Sequence, residues 1–120
     1  MTSVLNVDTI ADKAGTGPVA LTKQSAAKAW LSLDGTGTIS VTGSFNISST
    51  VDDSTGTYTA NYTSSMAASN YSVSGSLTNN SNVMHCVSTL SASSFTTIHR
   101  AYTNTLTDTK PMSDVHGDLA

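Results

Sequence analysis

The sharpest candidates for chemistry are His85, Cys86 and His99, which have the residue types of a metal site. Residues 83–102 read as two strands joined by a hairpin loop at Ser91–Ser94. That register places Cys86 opposite His99, and cross-strand neighbours are close enough to share a metal ion. Two ligands do not close a site, however, and alternation puts His85 on the other sheet face. The interpretation we favour is a buried thiol and two surface or interface histidines, with no metal.

Catalysis has weaker candidates. Asp52 and Asp53 are adjacent, but the stretch Val51–Gly56 reads as a solvated turn, whereas acid–base catalysis needs two carboxyls held in a cleft. Asp34–Gly37 lacks the spacing, the lysine and the following helix of a phosphate-binding loop. With 20 serines in the chain, some combination of Ser, His and Asp can always be chosen, so the presence of these residue types does not indicate a catalytic triad. We predict no catalytic residue, no cofactor and no enzymatic activity.

Binding of sugars is the remaining possibility, because exposed aromatic rings on a sheet can stack on them. Trp30 and Tyr102 are the candidates, and the alternative is that most aromatic residues belong to the core. Five Lys/Arg residues are scattered along a chain of formal charge −3, which argues against nucleic-acid binding and membrane attraction. The sequence has neither an apolar run of membrane-spanning length nor a secretory signal, so we expect synthesis in the cytoplasm.

The elements that would position these residues are strands. The chain contains 20 Ser, 20 Thr and no Glu, which favours strands over helices. Alternating Tyr58 and Tyr62, then Tyr71 and Val73, predict two strands that pair directly with each other. Turn signals at roughly ten-residue spacing predict an all-β fold, an antiparallel sandwich of seven or eight short strands. The predicted core comprises Trp30, Phe45, Ile47, Tyr58, Tyr62, Tyr71, Val73, Leu77 and Phe95.

The sequence divides into an N-terminal arm with its connector, residues 1–27, and a sandwich domain, residues 28–120. The stretch Thr22–Ala29 is the only one with helical character, and its eight residues suit a connector. Such a lean core also favours association with further copies of the chain. The apolar side chains predicted to anchor the arm or to oligomerise are Leu5, Val7, Ile10, Val19 and Leu21.

Five stretches in fixed order resemble small tail-fibre-like virion proteins and fibre modules of tailed bacteriophages that infect marine and freshwater bacteria. The stretches are Val7–Ile10, Gly17–Trp30, Ser44–Ser49, Gly56–Thr59 and Asn70–Val73. The block Lys-Gln-Ser-Ala-Ala-Lys-Ala-Trp at residues 23–30 is the most specific of them. The resemblance covers about residues 4–78, with a weaker echo at Ser113–Asp118. The family commonly ends in a more hydrophobic strand that usually runs into Phe-Gly-Asp, and Ser113–Asp118 departs from that pattern.

The resemblance implies a homotrimeric fibre component, in which an N-terminal segment joins the virion or partner chains and a β-sandwich follows. It implies no catalytic residue. The expected function is therefore a non-enzymatic virion protein, a short tail fibre or fibre adaptor attached through residues 1–24. The alternatives are a module that recognises a host-surface glycan and a decoration or head-fibre protein on the capsid.

Overall fold

The computed structural model describes residues 26–78 and 82–120, and these ranges contain eight strands and no helix. The strands are β1 (Ala29–Asp34), β2 (Ser40–Phe45), β3 (Ile47–Ser54), β4 (Thr57–Tyr62), β5 (Ser72–Thr78), β6 (Val83–Leu90), β7 (Ser94–Ala101) and β8 (Lys110–His116). Sheet A has the order β2-β1-β8-β5, sheet B the order β3-β4-β7-β6, and all pairings are antiparallel. The predicted all-β sandwich is confirmed.

The N-terminal predictions are only partly covered by these ranges. The five predicted anchor residues, Leu5, Val7, Ile10, Val19 and Leu21, lie outside the described residues. The helical character expected up to Ala29 is wrong where it can be checked, because residues 26–28 are not helical and Ala29 begins β1. The β1 backbone pairs with strands on both sides, and this pairing outweighs the helix propensity of the alanines.

Period-two alternation builds the interior between the two sheets. On β4, Tyr58, Ala60 and Tyr62 are buried while the intervening residues are half-buried. Across the interior β1 buries Ala29, Leu31 and Leu33, and β7 and β8 alternate in the same way. Buried polar side chains share this interior with the apolar ones: Thr97, His99, Thr109 and Ser113. The core is therefore lean in apolar volume, as the composition suggests.

The predicted direct pairing of the two tyrosine-containing strands is wrong. Strand β4 belongs to sheet B and β5 to sheet A, so the connection at residues 63–71 crosses from one sheet to the other. Met66 holds this connection in place, because its side chain is buried and its N–H donates to the Ala92 carbonyl at 2.8 Å. Tyr62 and Tyr71 then meet edge to face across the interior, with ring centroids 5.9 Å apart.

Two predicted core residues are on the surface of the chain. Trp30 is 41 % exposed and Phe45 is 56 % exposed, so their assignment to the core is wrong. The two are direct cross-strand partners on the outer face of sheet A, opposite to the face that carries Ala29 and Leu31. The other seven predicted core residues are buried or half-buried: Ile47, Tyr58, Tyr62, Tyr71, Val73, Leu77 and Phe95.

The corner between β2 and β3 is fixed by Asn46. Its backbone has φ +57°, a left-handed conformation that Asn tolerates better than most residues. Its side-chain amide donates to the carbonyls of Lys28 and Ser64, each at 3.0 Å, and its side-chain oxygen accepts from Ser64 N–H at 2.7 Å. One side chain thus links the start of β1 to the end of β4 and turns the chain from sheet A to sheet B.

Candidate functional site

The predicted hairpin of β6 and β7 is present, but its register differs from the prediction. A bulge between Val87 and Thr89 inserts an extra residue into β6. His85, and not Cys86, therefore lies opposite His99, since a shift by one residue moves every side chain to the other face. The predicted Cys86–His99 pair is wrong. Cys86 is also a free, exposed cysteine and not the buried thiol that the sequence suggested.

His85 and His99 form a stacked pair inside the sandwich. Nε2 of His99 lies 3.0 Å from Nδ1 of His85, and the ring centroids are 4.9 Å apart. On its other side, Nδ1 of His99 lies 2.8 Å from the hydroxyl of Thr109. Gly75 on the facing sheet makes room for the pair, because a Cβ there would collide with the His85 imidazole. Thr109, His99 and His85 thus form one hydrogen-bonded chain through the core.

Burial keeps both imidazoles neutral. Desolvation lowers the pKa of His99 to about 4, with the neighbouring His85 adding to the effect, and desolvation also lowers the pKa of His85. Nε2 of His85 is buried and has no hydrogen-bond partner among the residues that the structure describes. Within residues 26–78 and 82–120, no three His, Cys, Asp or Glu side chains are grouped to hold a metal. Here the pair is a polar packing element.

The two adjacent carboxylates do not share a cleft. Asp52 and Asp53 lie on β3, which runs on to Ser54, so the turn predicted over residues 51–56 covers only residues 55–56 and does not include the two carboxylates. Neighbouring residues of a strand point to opposite faces, and both carboxylates are exposed. Asp53 accepts a 2.6 Å hydrogen bond from the hydroxyl of Thr59 on β4, which lies on the paired strand. The pairing of β3 with β4 thus accounts for the position of Asp53.

The outer face of sheet A carries a groove of about 430 Å³ beside Trp30, hereafter the Trp30 groove. The indole lies over Gly43 of β2, where a Cβ would be only 3.1 Å from two ring atoms. Asp114 of β8 is the direct cross-strand partner of Trp30, so a carboxylate stands beside the indole. The groove is lined by one aromatic ring, one thioether, one carboxylate and three hydroxyls, from Trp30, Met112, Asp114, Ser32, Ser74 and Ser76.

A second apolar feature lies where the described chain enters the sandwich. Phe45 is 56 % exposed and Leu119 is 38 % exposed, and the two line a depression of about 320 Å³ together with Lys28. We call this surface the Phe45–Leu119 patch. Lys28 directly precedes β1, so the described chain enters the sandwich close to this patch. Sequence patterns do not predict this patch, because Phe45 reads as a core residue and Leu119 lies outside every predicted strand.

Tyr102 is the second aromatic residue considered for sugar binding. It is 77 % exposed and lies in the turn that follows β7, where its N–H donates to the Asn82 carbonyl at 3.2 Å. Four of the seven aromatic residues, Tyr58, Tyr62, Tyr71 and Phe95, are buried, so the alternative that most aromatic residues belong to the core is confirmed, although Tyr102 and Trp30 are exposed. Trp30 lines a groove together with a carboxylate and hydroxyls.

No family model matches the sequence, and no curated protein or solved structure matches it either. Among the described residues, no helix has the length and apolar character needed to cross a membrane.

Proposed function

We propose that this chain is a non-enzymatic structural component of a bacteriophage virion, a short homotrimeric tail fibre or fibre adaptor. Residues 1–24 attach the protein to other virion proteins and bring three copies together, and the sandwich projects from that base. The protein is made in the cytoplasm of the bacterial host and resides on the particle. The resemblance of residues 4–78 to tail-fibre-like virion proteins motivates this proposal.

The structural observation that supports it is the Phe45–Leu119 patch. Large apolar side chains exposed next to the point where an attachment arm enters are suited to contact between copies. Covering the exposed parts of Phe45 and Leu119 would stabilise the assembly by about 2 kcal/mol per chain. This stabilisation would supplement a core in which several of the buried side chains are polar.

The experiment has two parts, assembly and location. Deleting residues 1–22, or replacing Phe45 and Leu119 by serine, should abolish or weaken trimer formation and incorporation into particles. Tyr102→Ser removes a more exposed aromatic side chain outside the patch and should change neither property. Imaging of particles with a labelled C-terminus should place the sandwich on the tail. A deletion variant that still forms trimers and enters particles would show that the arm is not the anchor.

A second candidate function, recognition of a host-surface glycan, is favoured by the Trp30 groove. Label on the capsid instead of the tail would support the third possibility, a decoration or head-fibre protein.

A further inference from the structure

The Trp30 groove combines an exposed aromatic face with hydrogen-bonding groups on one side of sheet A. The register places Asp114 and Ser74 in the same cross-strand row as Trp30, and Ser32, Met112 and Ser76 in the next row. Gly43 leaves space for the indole to lie against β2. We propose that this groove is a binding site for a neutral saccharide. The proposal rests on the second candidate function, glycan recognition, and does not require trimeric assembly.

The lining residues match the chemistry of a sugar ring. The electron-rich face of an indole attracts the slightly positive C–H groups that one face of a pyranose presents. A carboxylate accepts short, charge-assisted hydrogen bonds from hydroxyl groups. In the described part of the chain, no side chain forms an ion pair with Asp114, and Lys110 on the same face is bound to Asp34 at 2.7 Å. The Asp114 oxygens are therefore available to a ligand.

Charge and backbone pairing exclude other ligand classes. Among residues 26–78 and 82–120, Asp114 is the only charged side chain that lines the groove, so phosphates, nucleic acids and acidic sugars meet a negative charge there with no described cation beside it. An extended peptide that binds by strand addition needs free backbone groups at a sheet edge. Strands β1 and β8, which form the floor of the groove, are each paired on both sides, and only β5 at its margin has an unpaired edge. A ligand seated on the floor must then be recognised by side chains, and a polyol with an apolar face fits them.

Trp30 is the only tryptophan of the chain, so its fluorescence reports on the groove directly. The full-length protein is titrated with methyl glycosides of glucose, galactose, mannose and N-acetylglucosamine, up to about 50 mM, because a small shallow site predicts a Kd on the order of 1 mM. Glucuronate and N-acetylneuraminate serve as acidic comparators. The same titrations are followed by amide chemical shifts in Trp30→Ala, Asp114→Asn and the control Tyr102→Ala, with folding checked by circular dichroism.

We expect at least one neutral glycoside to change the Trp30 fluorescence and to shift the amides of Ser74, Gly75 and Ser76. Trp30→Ala should abolish binding, Asp114→Asn should weaken it at least about 10-fold, and Tyr102→Ala should leave it unchanged. The proposal is overturned if no neutral glycoside binds, if acidic comparators bind equally well, or if a second copy already covers Trp30. Binding of labelled protein to a glycan array that survives Trp30→Ala would retain glycan recognition but overturn this site.

Discussion

Acidification should destabilise this sandwich through its buried histidine pair. The pKa of His99 is about 4 in the folded chain, against an ordinary value of 6.5, because the fully buried imidazole is desolvated. The unfolded chain therefore binds more protons between these pH values. The contribution of His99 to the free energy of unfolding is fully present above about pH 6.5. It decreases as the pH drops towards 4, and below that pH His99 causes no further loss. A difference of about 2.5 between the pKa values corresponds to about 3 kcal/mol.

His85 acts in the same direction, because burial also lowers its pKa. The ion pair of Asp34 does not obscure this window. The pKa of Asp34 is lowered from 3.8 to about 2 by hydrogen bonds from Lys110 and Thr36, so its contribution disappears only below about pH 4. The pH range between 4 and 6.5 is thus suited to measuring the histidine pair.

Urea unfolding followed by circular dichroism at pH 7.5, 6.0, 5.0 and 4.2 measures this effect. His99→Gln should lower stability at neutral pH, because it breaks the chain to Thr109, and should flatten most of the pH dependence. His116→Gln is the matched control, since His116 lies at the opposite end of β8 from Thr109 and should leave the dependence intact. An unfolding free energy that stays constant between pH 7.5 and 4.2 would refute the buried, neutral pair.

The remaining predictions concern single side chains. Tyr62→Phe removes a buried hydroxyl that has no partner among the described residues, so urea unfolding should show equal or up to about 1 kcal/mol greater stability. Tyr71→Phe loses the hydroxyl donor that is shared between the carbonyls of Ser91 and Ser94 and should cost about 1 kcal/mol in the same assay. Gly75→Ala places a Cβ against the His85 imidazole and should cost about 1–3 kcal/mol, measured by thermal unfolding. Cys86→Ala changes an exposed side chain and should alter stability by less than about 0.5 kcal/mol. A larger loss for Tyr62→Phe than for Tyr71→Phe, or a silent Gly75→Ala, would contradict the core described above.

The alternation of apolar and polar residues and the turn signals predicted the fold class and most strands. The prediction failed where a single extra residue changes the strand register. The alternation of apolar and polar residues and the serine-rich loop predicted the β6–β7 hairpin correctly. The bulge at Val87–Thr89 has no signature in residue types, because Val-Ser-Thr is compatible with uninterrupted alternation. It decides whether His85 or Cys86 faces His99. The sequence therefore could not show which residue of β6 lies opposite His99, although it placed His85, Cys86 and His99 correctly on one hairpin.

Sheet membership and facing depend on contacts between distant residues. The break after Tyr62 looks like a hairpin connection, but Met66 ties it to the β6–β7 loop and sends the chain to the other sheet. The large apolar side chain of Trp30 led to the prediction that it points into the core. In the fold, Ala29 is the fully buried neighbour, and Tyr58, Tyr62 and Tyr71 supply large side chains to the core. The outward position of Trp30, and with it the groove, follows only from the packing of both sheets.

Edge strands offer a further reason for the chain to associate with copies of itself. Strands β2, β3, β5 and β6 are the outer strands of the two sheets. Their exposed positions are largely Ser and Thr, and charged residues that would discourage strand addition are few. Contacts between copies are one way to cover such edges.

Sedimentation equilibrium of the 120-residue chain at micromolar concentration is the decisive test of assembly from identical chains. We expect a single species with three times the 12.3 kDa mass of one chain. A well-folded species of 12.3 kDa that persists across the concentration range would contradict it.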